Sequence, residues 1–408
     1  MSNETFPSFA LMLLLMVAPY AASAGDVIHS FDLANGENPT GALVADANGN
    51  LYGTATLGGC NHDWCSGQIF ELSPVASGKW SFTVLHEFTG ENGQTPDGAL
   101  ILDGHGNLYG TTEAGGSGHV GTVFELSPQS NGSWTETVLH SFQGPDGETP
   151  HGAIALDAQG NIYGATRYAG ANNQGVIYEL SQQSNGIWKE AVLHAFGASG
   201  DPGYPYSGVT LDSHGNIFGA TTNGGMAQAG TIFELTPSGN GQWTESTLHS
   251  FVIATDGANP QTPLVFDSAG NLYGSTFQEG GSRYGGTVFQ LSPSGSTWNF
   301  TVLHSFASGT DGYVPSGVAL DASGNVFGTT TYGGSGCYGS NYGGCGIVFE
   351  LSPQGSGSWK KTVLHTFESA TDGSQPFAGV ILVNGQLYGT TKYGGTRLGY
   401  GTVFQVAP

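Results

Sequence analysis

From residue 26 onward the chain is a succession of short runs in which apolar and polar positions alternate. Residues 121–126 read Gly-Thr-Val-Phe-Glu-Leu, and residues 107–112 read Asn-Leu-Tyr-Gly-Thr-Thr. Such runs are rich in β-branched and aromatic residues and are closed off by Gly, Asn, Asp or Pro, which is how short strands and tight turns look. No stretch of the chain carries a sustained helical period. The pattern therefore predicts an all-β protein of many short strands.

The runs repeat. A Gly-Thr-Val-Phe-Glu-Leu-Ser-Pro block or a close variant starts at Gly67, Gly121, Gly175, Gly230, Gly286, Gly346 and Gly401, a spacing of about 54 to 60 residues. A second block, Val-Leu-His-x-Phe or a close variant, is centred on His29, His86, His140, His194, His249, His304 and His365. Trp80, Trp134, Trp188, Trp243, Trp298 and Trp359 stand six residues before the last six of these histidines. A third block, Asp-x-x-Gly-Asn, precedes an apolar-aromatic-Gly run, as in Asp103–Gly110 and Asp321–Gly328. Each repeat reads as four antiparallel strands, and this period is that of a propeller blade.

Seven repeats predict a seven-bladed β-propeller filling residues 25–408, with blades at about 39–88, 96–142, 150–196, 205–251, 260–306, 315–367, and 376–408 together with 26–31. The split last blade follows from the ends. Val27–Phe31 is a fourth strand with no blade of its own, and the final repeat stops after its third strand. Joining the two closes the ring and removes two unpaired edges. A linear solenoid would need polar caps at both ends, and none is visible.

Composition sharpens this picture in three ways. Gly is 69 of 408 residues and charged residues are only 10%, while 38% are hydrophobic, so there is ample core material and many tight turns. The net charge of −23, with 8 basic residues, lacks the basic footprint that nucleic acids or anionic membranes select. At the N-terminus, the apolar run Phe9–Val17 followed by Ala22-Ser23-Ala24 reads as a secretory signal over residues 1–24, cleaved near Ala24, although residues 1–7 contain no Lys or Arg. That run is too short to span a bilayer. The four cysteines fall in two local pairs, Cys60 with Cys65 and Cys337 with Cys345, and export favours two disulfides. Metal binding by Cys60, His62, Asp63 and Cys65 is the lesser alternative, because ligands so close in sequence strain a tetrahedron.

The three blocks, recurring in fixed order over essentially the whole mature chain, resemble the GloVer tandem repeat of exported bacterial "choice-of-anchor" proteins. The resemblance implies export and a propeller-like fold. It implies no activity and supplies no catalytic residues. The absence of a sorting or anchor segment after the last repeat leads to the expectation of a freely soluble, monomeric product in the periplasm or outside the cell.

Residues that could carry chemistry are mostly accounted for by the repeat itself. A histidine at one strand position of every blade is expected to be hydrogen-bonded within its blade, since the seven would lie too far apart to share a metal. The Asp-x-x-Gly-Asn turns have too few oxygens for a calcium loop and read as capped turns. Asn35, Asn92, Asp146, Asp201, Asp256, Asp311 and Asp372 each stand four residues before a Pro in the blade links. An Asx-turn is the expected role, with a cation-attracting ring as the alternative. His62, His105, His119, His151 and His214 have no repeated role.

The loops between second and third strands vary most, and variable loops on a rigid scaffold are where binding concentrates. They hold both cysteine pairs, four of the eight basic residues (Arg167, Arg283, Lys392, Arg397), and Tyr168, Tyr332 and Tyr393 at one shared position. Arg167, Tyr168, Tyr332, Lys392 and Tyr393 are thus the candidate ligand-binding residues, for an extracellular carbohydrate or protein. No catalytic residue, cofactor or metal ligand is expected from motifs. The leading expectation is a non-catalytic exported binding propeller. A propeller lyase or hydrolase acting on a polysaccharide or small molecule is the second, and a structural surface protein the third. The enzyme reading predicts acids, His or Tyr placed at the channel mouth by one or two blades only.

Overall fold

The computed structural model describes residues 25–58, 66–198, 201–280, 284–335, 337, 343–395 and 399–408. They form seven antiparallel sheets arranged in a ring. Blade one illustrates the plan, with strands Val44–Ala45, Leu51–Ala55, Gln68–Val75 and Lys79–Glu87 in that spatial order. Blades two to six repeat it, and in blades three and five the innermost strand is split in two. The seventh sheet runs Asp26–Ser30, Thr402–Val406, Gln386–Thr391, Ile381–Val383, so the first strand of the chain completes the last blade. Val27 lies opposite Phe404 and Ser30 opposite Thr402, and Phe31 N–H donates to the Gly401 carbonyl at 3.0 Å.

The repeat sequence explains the packing. Both faces of each sheet must be covered, and the apolar residues sort into seven buried clusters, one at each blade-to-blade boundary. The Phe of each Val-Leu-His-x-Phe block stands edge-on to the aromatic in the third strand of the next blade. Phe31 meets Phe70 at 5.2 Å between ring centres, and Phe367 meets Phe404 at 5.0 Å. The second-strand glycine is what admits that aromatic ring. At Gly164 a Cβ would lie 2.2 Å from the Tyr178 hydroxyl. Each boundary therefore buries two large side chains, an apolar gain of roughly 1.5–3 kcal/mol apiece.

The recurring polar residues hold turns. Asp103 Oδ1 accepts the His105 and Asn107 N–H groups at 2.8 Å each, and its Oδ2 accepts Asn107 Nδ2. Equivalent bonds form at Asp157, Asp212, Asp267 and Asp321. Five block histidines, His140, His194, His249, His304 and His365, donate to the aspartates of the links that follow them, whereas His86 meets Asn92 and the Nε2 of His29 is buried without a hydrogen-bond partner, against the expectation of a bonded histidine in every blade. His140 reaches Asp146 at 2.9 Å and His365 reaches Asp372 at 2.8 Å, while the same carboxylates accept a backbone N–H from Gln143 or Glu368. Their oxygens are engaged in closing the link, as an Asx-type role requires.

Cys337 and Cys345 form a disulfide. Cys60, Cys65, His62, Asp63, Arg283, Arg397 and the segment 1–24 lie outside the described residues. Among the described residues no helix is long and apolar enough to cross a membrane.

Candidate functional site

Two positions of the repeat escape its regularity. The first is the residue after the link proline, where the innermost strand begins. The seven blades place Thr40, Asp97, His151, Tyr206, Gln261, Ser316 and Phe377 there. The second is the residue three after the second-strand glycine, occupied by Thr56, Glu113, Arg167, Thr222, Phe277, Thr331 and Lys392. Antiparallel pairing brings the two positions to the same face. Pro150 pairs with Thr166 and Pro205 with Thr221, so each first-position residue follows a proline beside the end of the second strand.

All seven first-position residues line one cavity of about 130 Å³ on the propeller axis. A break in strand register puts them there. Between the paired residues Pro205 and Val209 the inner strand has two more residues than its partner spans from Thr221 to Gly219. The surplus bulges inward and carries Tyr206 toward the axis, a known use of bulges. Blade three has the same surplus between Pro150 and Ala155, which carries His151. Beneath the rim the inner strands nearly touch. A Cβ at Gly152 would lie 2.4 Å from the Gly208 amide nitrogen, and Gly208 itself sits at φ 77°. Glycine is required at both places.

The rim is chemically lopsided. A hydrogen-bonded chain crosses four blades: Thr40 Oγ1 donates to Asp97 Oδ1, His151 Nε2 lies 2.7 Å from Asp97 Oδ2, and His151 Nδ1 lies 3.0 Å from the Tyr206 carbonyl oxygen. Glu113 adds a second carboxylate, its Oε1 3.4 Å from His151 Nε2. The imidazole also lies against the Tyr206 ring, 3.8 Å between centres. A carbonyl can only accept, so Nδ1 carries a proton, and the Asp97 carboxylate calls for a second proton on Nε2. Burial disfavours the charged imidazole, but the hydrogen bond and charge of Asp97, with the charge of Glu113, outweigh it and raise the His151 pKa. Burial likewise pushes Asp97 upward, and the bonds from His151 and Thr40 with the charges of His151 and Lys392 pull it below its usual value. Glu113 is raised, chiefly by burial.

Cations and aromatic faces flank this cluster. The Arg167 guanidinium sits 4.7 Å from the Tyr168 ring centre and 4.8 Å from that of Tyr206, and its Nε is buried without a hydrogen-bond partner. Lys392 Nζ lies 4.8 Å from the Phe377 ring centre and 5.4 Å from that of Tyr393. The far arc of the cavity, from Gln261 and Phe277 to Ser316 and Thr331, is uncharged.

Of the residues singled out from sequence, Arg167 with Tyr168 and Lys392 with Tyr393 stand at the rim on blades three and seven. Tyr332 is on blade six, stacked on Tyr313 of its own blade at 5.3 Å. Asp97, Glu113, His151 and Tyr206 were not anticipated. The signal for Asp97, His151 and Tyr206 was present as a column of seven unlike residues directly after seven prolines.

A closed ring of four-stranded blades with one irregular cavity on its axis defines the protein as a seven-bladed β-propeller with an asymmetric channel mouth. The chain belongs to the Gloeobacter/Verrucomicrobia repeat family, whose model matches residues 18–212, 129–342 and 205–408. No curated protein matches it in sequence. Among solved structures it is similar to a provisionally assigned 6-phosphogluconolactonase from Bacteroides uniformis, with 14% identity, a TM-score of 0.53, and 86% of this chain and 90% of the other covered. It is also similar to the extracellular domain of a provisionally assigned one-component system from B. thetaiotaomicron, with 12% identity and a TM-score of 0.56. That alignment covers 93% of this chain and 39% of the other. At these identities the likeness is one of fold alone.

Proposed function

We propose that the chain is an exported binding propeller whose recognition site is the channel mouth, and that its ligand is a short oligosaccharide carrying a carboxylate group. One observation carries the reading: sequence repetition is strict wherever blades pack and breaks down at the position after the link proline, which lines the axial cavity in all seven blades. Residues that only hold a fold together repeat with it. Residues that differ in every blade, yet converge on one cavity, are suited to an asymmetric ligand. The chemistry supports a sugar acid. Tyr206, Phe277 and Phe377 offer flat apolar faces, Asp97 and Glu113 accept hydroxyl hydrogen bonds, and Arg167 and Lys392 supply positive charge. The net charge of −23 repels long polyanions and so favours a short ligand. The disulfide and the N-terminal apolar segment support export.

The test is a glycan array probed with the full mature chain, followed by calorimetric titration of the hits. Uronate-containing oligosaccharides are expected to bind, and Arg167→Ala or Lys392→Ala to weaken them at least ~10-fold, the scale of a lost charge-assisted hydrogen bond. Binding of peptides instead, or of no array member at all, would refute it.

A second reading, an enzyme acting on the same class of ligand, is favoured by His151 being oriented at both ring nitrogens beside the Tyr206 ring. Its mark would be turnover of uronate oligosaccharides that disappears in His151→Gln.

A further inference from the structure

We infer that Asp97, Glu113 and His151 form a binding site for one divalent first-row transition metal ion, Zn²⁺ foremost, at the channel mouth. The donor atoms of the three side chains lie within 4.8 Å of one another. Two ligands bound to a common zinc at a tetrahedral angle stand about 3.3 Å apart, and His151 Nε2 to Glu113 Oε1 is 3.4 Å. The 2.7 Å between Nε2 and Asp97 Oδ2 need open only slightly to admit the ion.

The surroundings prepare these donors for a metal. His151 Nδ1 donates to the backbone carbonyl of Tyr206, a group outside the cluster. That bond keeps a proton on Nδ1, so Nε2, whose own proton bridges to Asp97 in the metal-free chain, is the ring atom that can exchange that proton for a metal ion. Ring N–H to backbone carbonyl is also the usual outer support of a metal-bound histidine. Thr40 holds the other oxygen of Asp97 in the same manner. The His151 side chain is only 10% exposed, yet the site faces the axial cavity, so three protein ligands would leave a coordination position open to a ligand or water.

The five pairs of a block histidine with a link aspartate provide the contrast. Each lies within one blade, recurs around the ring, and spends its carboxylate on a backbone N–H as well. The Asp97–His151 pair bridges blades two and three, occurs once among the described residues, and adds a second carboxylate. One imidazole with two carboxylates suits zinc or manganese better than calcium, which takes six to eight oxygens. A bound dication beside Arg167 and Lys392 would make this part of the rim cationic. To that extent the inference deepens the sugar-acid reading, but metal uptake is measurable with no sugar present.

The experiment uses the full mature chain, stripped with chelator and dialysed against Zn²⁺, with metal counted by elemental analysis and affinity measured by titration. One Zn²⁺ per chain is expected, at least ~10-fold weaker in His151→Gln and Glu113→Gln, and undisturbed by equal Ca²⁺. Near-ultraviolet dichroism checks that the variants fold. Should they not, Co²⁺ added to the unmodified chain decides: the intense visible bands of four- or five-coordinate cobalt support the site. Failure of the unmodified chain to retain zinc, equal retention by folded His151→Gln, or a cobalt spectrum identical to that of the aqueous ion overturns it. Zinc uptake without glycan binding would leave this site standing and remove the proposed ligand; the reverse would do the opposite.

Discussion

Ring closure by the first strand can be tested at Phe31. The side chain is fully buried, with Phe70 at 5.2 Å, Phe82 at 5.9 Å and His29 at 4.8 Å between ring centres. Truncation of such a side chain to alanine costs about 3–5 kcal/mol, combining lost transfer energy with the cavity left behind. Phe196 is an internal standard: it holds the same repeat position, is equally buried, and meets Phe233 edge-on at 5.2 Å. If Asp26–Ser30 is an integral strand, Phe31→Ala and Phe196→Ala should destabilise the protein alike. Urea unfolding followed by tryptophan emission would show both midpoints falling by roughly 1 M or more, given the expected slope. Hydrogen exchange would add that amides of Thr402–Val406 lose protection in Phe31→Ala. An unchanged midpoint for Phe31→Ala beside a lowered one for Phe196→Ala would refute the closure.

Two further predictions concern pH. The His29 pKa is lowered to about 4, by burial against the weaker opposing charge of Asp32. The unfolded chain binds this proton below about 6.5, so the contribution is complete above that pH and is lost as pH falls toward 4. Between pH 7 and 5 the loss is about 2 kcal/mol, and His29→Phe, which keeps the stack on Phe82, should remove that difference in melting experiments. Glu190 is raised to about 7, by burial and then by the charge of Asp146. Here the unfolded state ionises first, so stability falls as pH rises from about 4.5 through 7. Glu190→Gln should therefore raise stability at pH 8 by about 1–2 kcal/mol after allowance for solvent screening, and leave it unchanged at pH 4.

Legibility in the sequence followed what repeats. The blade, its strands, the count of seven and the closing strand could all be read because packing between like sheets makes the same demand seven times. Phe31, Phe142 and Phe367 answer one physical question, and so do Asp103 and Asp321. Arg167 and Lys392 were noticeable as rare cations in variable loops. His151 stood in the sequence as one of five histidines with no repeated role, which is the very property that distinguishes it. The inward bulge that turns it to the axis also breaks the strand alternation, so periodicity could not place Asp97, His151 or Tyr206 together. Glu113 stands just past its strand at a position that is Thr in three other blades, and only the ring geometry shows that it meets a histidine from the next blade.

The bulged rim positions have a consequence for how such a protein changes over time. Gln261 and Phe377 line the axial cavity and belong to none of the apolar clusters between sheets, so their exchange spares the inter-blade core. The scaffold thus offers seven variable letters at one address, of which Thr40, Asp97 and His151 are coupled through their hydrogen bonds. A new specificity can be spelled there by point substitution, with the apolar clusters at the seven boundaries holding the circle shut.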